Sequence, residues 1–498
     1  HPGIRPEYLF NWCNGNDEST TGRSKLSNHG YFSATAHNDQ YVFLGARVTE
    51  GGWSLLALDR EGDFKHGYDR LHGTGLGVVK LVADEKYLYV AKDGIAWGQK
   101  PDRSDPKWRI DVNLSISRFD IESARPVNFP GGRRDVKYDT YPHGPGAEKM
   151  GRTLSLAGFA RHARTLFVSS RWRQAIIRID AATGEELGDI PMPEPGPLAV
   201  HGETLYATSE NAVYALTREG RRQGRIVDGD EHGLAIRALA CDDRDRLYVS
   251  DDSSHTVRIF DARTGKPLGR IGEPGGPYTG EFIPERMVHP RGITVYKDRL
   301  WVTQETTNPK RIVGWDLDPA EVAVQLFGNP PYGSPGAGFD PADKTRWIGQ
   351  NVLWRLDFDR ESARVTHIPK LQPGHLGGLI GSMRAYEFHH HKASGRTFVI
   401  GTGNHLQLVS ELMPDGTLRD LAAISTTHHF HYATHWRMDG PYVEAMAKRF
   451  PAASPRNQYG DVRGVGVMWT DRNGDSACQP DEFNFADPGS NWRHDRWG

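Results

Sequence analysis

A short strand-forming sequence recurs along most of this chain, and its repetition constrains the fold more than any other feature. Each copy is about six residues long and rich in β-branched and aromatic side chains, as expected of a half-buried strand. The copies are YVFLGA from Tyr41, YLYVAK from Tyr87, TLFVSS from Thr165, TLYATS from Thr204, RLYVSD from Arg246, RLWVTQ from Arg299 and TFVIGT from Thr397. Such spacing predicts one supersecondary unit per copy.

The clearest unit spans residues 233–272 and reads as strand, DDRD turn, strand, SDDSSH turn, strand, DARTG turn, strand. Four short antiparallel strands in about 40 residues make one blade of a β-propeller. We therefore predict an all-β chain folded as a β-propeller of four-stranded antiparallel sheets. Seven blades fit the spacing best, and six or eight remain open. Sustained helical periodicity is confined to PYVEAMAKRF (441–450).

Two segments, 290–316 and 233–272, resemble NHL-type repeats. In that family a proline and a glycine open the innermost strand, an "LYV" core forms the next, and a "VRIFD-x-x-TG" hairpin closes the blade. The resemblance covers most of residues 30–420 and implies a toroidal propeller. It does not imply one activity, because the family includes binding scaffolds, lactonase-like or esterase-like enzymes and the lyase domain of peptide amidation.

The repeat pattern divides the chain into three predicted parts. Residues 1–28 form an N-terminal extension, and residues 29–425 form the propeller with insertions near 95–150 and 320–350. Residues 426–498 contain a histidine-rich segment, a short helix and an EF-hand-like loop that packs on the propeller or completes it.

The overall composition excludes several classes of partner. Acidic and basic residues nearly cancel, 63 against 61, so no global charge favours nucleic acid. No run approaches the roughly 18 apolar residues of a membrane span. The three cysteines, Cys13, Cys241 and Cys478, allow one disulfide at most. The chain starts at His1, which fits a processed form, and we expect a secreted or periplasmic location. The oligomeric state is left open.

Three histidines each lie a few residues ahead of a predicted innermost strand: His72, His232 and His289. Residues at that position line one mouth of a propeller channel, where ligands usually bind. Imidazoles from three blades suit zinc or another transition metal with an open coordination position. The amidating-lyase domain uses histidines from separate blades, so the resemblance implies a similar arrangement. The alternative is that these histidines only cap strand ends.

The stretch TTHHFHYATHW (426–436) is a second candidate site. Read as a strand, it points His429 and His431 to one face, and such a pair can chelate a metal. Its histidines could also supply a catalytic base, and Arg291 and Tyr432 could stabilise developing negative charge. The alternative is a polar loop. The other histidine run, His389–His391, precedes a KASG turn and is predicted to be a solvated hairpin edge.

The segment DRNGDSACQPDE (471–482) matches a calcium-binding loop. Its six predicted ligands fall at positions 1, 3, 5, 7, 9 and 12: Asp471, Asn473, Asp475, the carbonyl of Ala477, Gln479 and Glu482. Ser476 departs from the pattern, because position 6 is normally glycine. The preceding VGVMWT predicts a strand, and Pro480 argues against an exiting helix. We expect structural calcium at this loop.

Two functions follow from these observations. The first is a lyase or hydrolase that acts on an extracellular carbohydrate or related polar substrate at the channel mouth, using a histidine base or a histidine-bound metal. The second is a non-catalytic carbohydrate- or protein-binding module of a larger surface protein. Tryptophans that could stack on sugars in either case are Trp53, Trp97, Trp108, Trp172, Trp301 and Trp436. For most of them the favoured alternative is ordinary packing between blades.

Overall fold

A computed structural model gives the structure of the protein. It describes residues 32–46, 55–68, 79–95, 110–143, 156–306, 309–328, 337–349, 352–360, 362–371, 383–403, 406–426, 466–476 and 479–486. Within these ranges the chain is almost entirely β-structure, with two short 3-10 turns at Pro130–Gly132 and Pro480–Glu482. The described residues contain no helix long and apolar enough to cross a membrane.

Six four-stranded antiparallel sheets follow one another along the chain. The first contains β1 (Phe32–His37), β2 (Val42–Ala46), β3 (Leu55–Leu58) and β4 (Phe64–Gly67). The second contains β5 (Val79–Ala83), β6 (Tyr87–Ile95), β7 (Ile110–Asp120) and β8 (Asp135–His143). The third contains β9 (Leu156–His162), β10 (Thr165–Ser170), β11 (Ala175–Asp180) and β12 (Glu186–Pro191).

The remaining three sheets have the same up-and-down order. The fourth contains β13 (Pro195–His201), β14 (Thr204–Ser209), β15 (Ala212–Thr217) and β16 (Arg222–Asp228). The fifth contains β17 (Ile236–Cys241), β18 (Arg246–Asp251), β19 (Thr256–Asp261) and β20 (Pro267–Ile271). The sixth contains β22 (Pro290–Tyr296), β23 (Arg299–Gln304), β24 (Lys310–Leu317) and β25 (Ala320–Gly328). The short strand β21 (Gly280–Glu281) lies between the fifth and sixth.

The six sheets close into a ring, as a β-propeller requires. Their first strands contact one another in chain order, and β22 contacts β1. A separate buried apolar cluster fills each of the six interfaces between neighbouring sheets. At the closing interface Tyr296 and Trp301 of the sixth sheet pack with Phe32 and Leu44 of the first.

Six of the seven strand cores recognised in the sequence are the second strands of the six sheets of the ring. The ring therefore has six blades among the described residues, one fewer than the best estimate from the sequence. The seventh core, at Thr397, forms β31 in a different sheet.

That different sheet has eleven strands and lies outside the ring. A first meander contains β26 (Ala337–Phe339), β27 (Arg346–Gly349), β28 (Val352–Asp357) and β29 (Ser362–Ile368). A second contains β30 (Met383–His391), β31 (Arg396–Gly403), β32 (Leu406–Leu412) and β33 (Leu418–Thr426). The sheet ends with β34 (Gly466–Thr470) and β35 (Phe483–Ala486). Its two meanders meet where β26 runs parallel to β30, and β21 joins it at β29.

These strands change the predicted division of the chain. The ring ends at Gly328 with β25, rather than near residue 425. The predicted insertion at 95–150 supplies the two outer strands of the second blade, and the one at 320–350 supplies β25, β26 and β27. The predicted boundary at 425 lies within the eleven-stranded sheet, because β33 pairs with β34.

Local sequence explains the tight turns at the ends of the outer hairpins. In DARTG, the Asp261 carboxylate accepts the backbone N–H groups of Arg263 and Thr264, which makes an Asx-type turn. Gly265 follows with a φ of 74°. A Cβ there would lie 1.8 Å from the backbone oxygen of Ile226 on the neighbouring blade, so the position requires glycine.

Candidate active site at the mouth of the ring

One end of the ring, called the mouth below, is where the first strands begin and where the turns between second and third strands lie. His289 immediately precedes β22 at this end, and Asp252 and His255 lie in the turn between β18 and β19. The second residues of β17 and β22, Arg237 and Arg291, lie beside them. Side chains from two blades therefore converge at the mouth.

His289 and Asp252 form a hydrogen-bonded pair. The Nδ1 atom of His289 lies 2.8 Å from the Oδ1 atom of Asp252. An ionised carboxylate only accepts hydrogen bonds, so Nδ1 is the donor and Nε2 keeps its lone pair. In hydrolytic triads a buried aspartate orients a histidine base in this way. The backbone of His289 has a φ of 46°, a strained conformation that recurs at functional sites.

His255 contacts both the backbone and the ring of His289. Its Nδ1 atom accepts the backbone N–H of His289 at 2.9 Å, and the two rings are 4.5 Å apart. Because Nδ1 is the acceptor, Nε2 carries the proton of the neutral ring. Burial and the neighbouring His289 lower the pKa of His255, which favours that neutral form.

Two arginines fix the charge of Asp252. Arg237 and Arg291 each approach its Oδ2 atom to 3.3 Å. Burial opposes ionisation, but the hydrogen bond from His289 and the positive charges of Arg291 and Arg237 outweigh it. Together they hold the pKa of Asp252 well below its usual range. Arg291 also donates a hydrogen bond to Glu305, so the charged side chains at the mouth form one connected network.

The same three groups offer atoms that could bind a metal ion. Asp252, His255 and His289 bring ligand atoms within 4.8 Å of one another. However, the Nδ1 of His255 is already an acceptor and its Nε2 is therefore protonated, so neither nitrogen offers a lone pair. Asp252 is shared by two guanidinium groups, which repel a cation. The donor set does not fit a transition metal in this arrangement.

The structure brings together two of the residues proposed from the sequence, His289 and Arg291. His232 is not part of their cluster: its ring packs 5.3 Å from that of Phe260, and its backbone donates to Asp228. The expected set of three imidazoles is thus not assembled among the described residues. The other candidates proposed for this site, His72, His429, His431 and Tyr432, lie outside the described residues.

Sequence reasoning missed Asp252 and His255, although a signal was present. Both lie in the SDDSSH turn of the clearest blade, directly after the second strand. In an antiparallel meander, the turn after the second strand lies at the same end as the start of the first strand. That rule places this turn at the mouth, beside the residues that precede the next blade.

The predicted calcium loop lies between β34 and β35. The strand that VGVMWT predicted before the loop is β34. Asp471 accepts the backbone N–H groups of Gly474 and Ser476 at 2.7 and 3.2 Å. Ser476 has a φ of 57°, the left-handed conformation for which position 6 normally uses glycine. The buried Glu482 accepts the N–H of Arg472 at 2.8 Å and so closes the loop. Ala477 lies outside the described residues.

Gln479 and Asn473 complete the described part of this loop. The side-chain amide of Gln479 donates to Asp475 at 2.6 Å, and that of Asn473 donates to the same carboxylate at 3.0 Å. Two side chains of the motif, those of Asn473 and Gln479, therefore converge on Asp475.

Two tryptophans have different roles. Trp172 lies in the turn between β10 and β11 at the mouth and is 42% exposed, beside Tyr141. Trp301 is fully buried between the first and sixth blades, so the suggestion that it stacks on sugars is wrong. Trp53, Trp97, Trp108 and Trp436 lie outside the described residues.

The histidine run 389–391 occupies the end of β30. His390 bonds to Asp340 at 2.6 Å, and His391 bonds to Ser394 in the following turn at 2.8 Å. His389 is exposed and lies 3.4 Å from Glu387. These contacts agree with the hairpin-edge interpretation.

Comparison with known proteins found no sequence match and only distant structural similarity. Neither a protein-family model nor a curated protein sequence matches the chain. A chain of a nidogen–laminin complex is similar over 60% of this chain and 93% of its own, with 16% identity and a TM-score of 0.38. The β-propeller domain of Myceliophteria thermophila Cps50 (Swd1) is similar over 58% of this chain and 96% of its own, with 14% identity and a TM-score of 0.36.

A protein of unknown function from Bacteroides thetaiotaomicron VPI-5482 is similar over 59% of this chain and 70% of its own, with 12% identity and a TM-score of 0.38. Scores and identities at this level carry no argument about activity. The propeller assignment rests on the strand order and the closed ring.

Proposed function

We propose that this β-propeller is an exported enzyme that acts on a carbohydrate or related polar substrate at the mouth, with His289 as general base. The observation that supports the proposal is the Asp252–His289 pair, in which Nδ1 is bound and Nε2 is available. The exported location is part of the proposal and is supported by the substrate class, because polymeric carbohydrates are abundant outside cells. NHL-type ancestry is part of the same proposal and rests on the sequence resemblance.

The charges at the mouth favour elimination over hydrolysis. A glycoside hydrolase needs a protonated carboxyl group with a raised pKa as its acid. Asp252 is held ionised, and Glu305 is ion-paired with Arg291. A base surrounded by guanidinium groups instead suits removal of a proton from carbon, because nearby cations stabilise the developing negative charge.

The elimination would proceed as follows. The Nε2 atom of His289 takes the proton from a carbon next to an electron-withdrawing group. The electron pair of that C–H bond forms a double bond to the neighbouring carbon, whose bond to oxygen breaks. The departing oxygen takes a proton from water, and the imidazolium returns its proton to solvent. Asp252 keeps the ring oriented and stabilises the imidazolium.

The test is a screen of acidic and neutral polysaccharides, followed for ultraviolet absorbance of unsaturated products and for new reducing ends. We expect unsaturated products from the natural sequence and a loss of at least about 100-fold in His289→Gln. The matched control is His201→Gln. His201 forms the same type of pair with Asp245, also at 2.8 Å, but at the opposite end of the ring. Equal activity in His289→Gln would refute the assignment.

Reducing ends without unsaturated products would indicate a hydrolase instead. No turnover on any polysaccharide, together with binding, would favour the non-catalytic module, for which exposed Trp172 is the supporting observation. Elemental analysis distinguishes a histidine-bound metal from a metal-free histidine base. One transition metal per chain, lost in His289→Gln, would show that the histidines are ligands.

We also propose that the loop 471–482 binds calcium in a structural role. Support comes from the motif and from the left-handed Ser476 at the position where such loops need that conformation. Calcium should raise the melting temperature of the natural sequence and not that of Asp475→Asn. The control is Asp415→Asn, which changes an exposed turn aspartate of another hairpin. No shift with calcium would refute this role.

A further inference from the structure

A small cavity lies at the centre of the ring, where all six first strands meet. Its volume is about 60 Å³, whereas a single ordered water needs roughly 10–15 Å³. Every blade contributes to its lining, through residues that include Thr35, Lys80, Gly158, Pro197, Ala238 and Arg291. The cavity has room for a small chemical group, and Arg291 connects it to the network at the mouth.

Lys80 gives this cavity a positive charge. It is the second residue of β5 and is half-buried. Among the described residues, it has no hydrogen-bond or ion-pair partner. Burial lowers the pKa of Lys80 to about 8, with repulsion from Arg291 and Arg171 and attraction from Glu305. Glu305 does not neutralise it, because its carboxylate is already bonded to Arg291.

Thr35 provides a second unused donor. Its hydroxyl oxygen is buried and has no hydrogen-bond partner in the part of the chain that the structure describes. Thr35 lies on β1, which is the neighbour of β5 in the ring. Buried polar groups in folded proteins are nearly always hydrogen-bonded, so this hydroxyl has a donor that is still unused. An ammonium and a hydroxyl on adjacent strands are the donors that a small anion needs.

We propose that this cavity binds the carboxylate group of an acidic substrate, such as a uronate sugar, through Lys80 and Thr35. This inference rests on the proposed function and gives it a substrate class. The rest of the sugar extends toward the mouth, where Arg291 links Lys80 to the Asp252–His289 pair. Neutralising the carboxylate makes the adjacent C–H bond more acidic, which is the bond that His289 breaks.

Calorimetric titration with D-glucuronate and D-glucose tests this subsite directly. We expect glucuronate to bind the natural sequence and glucose not to bind. Affinity for glucuronate should fall at least tenfold in Lys80→Met and several-fold in Thr35→Val, which removes only the hydroxyl. Lys297→Met, at the opposite end of the ring, is the control and should bind normally. Thermal melting of each variant verifies that it is folded.

Three results would overturn the inference: unchanged glucuronate affinity in Lys80→Met, equal binding of glucose, or equally tight binding of chloride that competes with glucuronate. The last result would identify a free-anion site. His289→Gln separates the two proposals, because it should bind glucuronate normally and lose turnover. Binding that depends on Lys80 without any turnover refutes only the enzyme assignment. Turnover that is independent of Lys80 refutes only the subsite.

Discussion

Lys310, at the interface that closes the ring, allows the free-energy cost of a buried charge to be measured. It is the first residue of β24, is 2% exposed, and its Nζ atom lies 5.5 Å from the ring centroid of Phe32 on the first blade. Burial lowers the pKa of Lys310 to about 7 from an ordinary value of 10.5. The folded protein thus keeps an ammonium in a poorly solvated position at low pH, which costs free energy.

The sign of the pH dependence follows from proton binding. Between pH 7 and 10.5 the unfolded chain holds a proton that the folded protein has released. Stability therefore rises with pH across this window, by up to about 1.4 kcal/mol per pH unit. Below pH 7 both states are protonated at this lysine, and the full penalty is present. The penalty is on the order of 5 kcal/mol at most, since water entry and relaxation reduce it.

Lys310→Met removes the charge and keeps most of the side-chain volume. We expect the stability of the variant relative to the natural sequence to be greatest at pH 6 and to fall by a few kcal/mol toward pH 9.5. Urea unfolding followed by tryptophan fluorescence at four pH values measures this. Lys137→Met, which changes an exposed lysine on β8, should show no such trend. A difference between Lys310→Met and the natural sequence that is independent of pH would refute the reasoning.

Four further outcomes follow from the described contacts. Asp252→Asn should lower turnover at least about 100-fold in a protein that thermal melting shows to be still folded, whereas the matched Asp245→Asn at the opposite end should keep full activity. Trp301→Ala should destabilise the protein by about 3–5 kcal/mol in urea unfolding, because it empties the interface that closes the ring. Trp172→Ala should leave stability within about 0.5 kcal/mol and weaken polysaccharide binding in calorimetry. Cys241 is a free thiol whose pKa is raised by burial, so peptide mass spectrometry should find it unmodified after brief native alkylation.

The strands and turns of this protein can be predicted from its sequence, because they depend on residues that are close together along the chain. Cores such as RLYVSD contain β-branched and aromatic residues that fit a pleated, buried strand. The Asp261 turn depends on a side chain that bonds to backbone groups two and three residues away. Such features predicted the propeller class and the order of strands within each blade.

The number of blades could not be read in the same way. The strand core at Thr397 has the composition of a blade strand and lies in a similar four-stranded meander, β30 to β33. Whether a meander joins the ring depends on which first strands pack together. In this protein β22 packs against β1 and closes the ring before that meander begins.

The candidate site, too, could be predicted from the sequence only in part. From the sequence, His289 stood out because it precedes an innermost strand, and Arg291 because its charge suits catalysis. Only the tertiary structure supplied Asp252 and His255, which lie more than 30 residues earlier in the chain.

Sequence alone determined the all-β class, the repeated meander and the balanced charge, since these follow from residue types and short spacings. The tertiary structure decided the six-bladed closure, the partner of His289 and the cavity at Lys80. Those properties depend on burial and on charges that meet across blades, and both arise only when strands distant in sequence pack together.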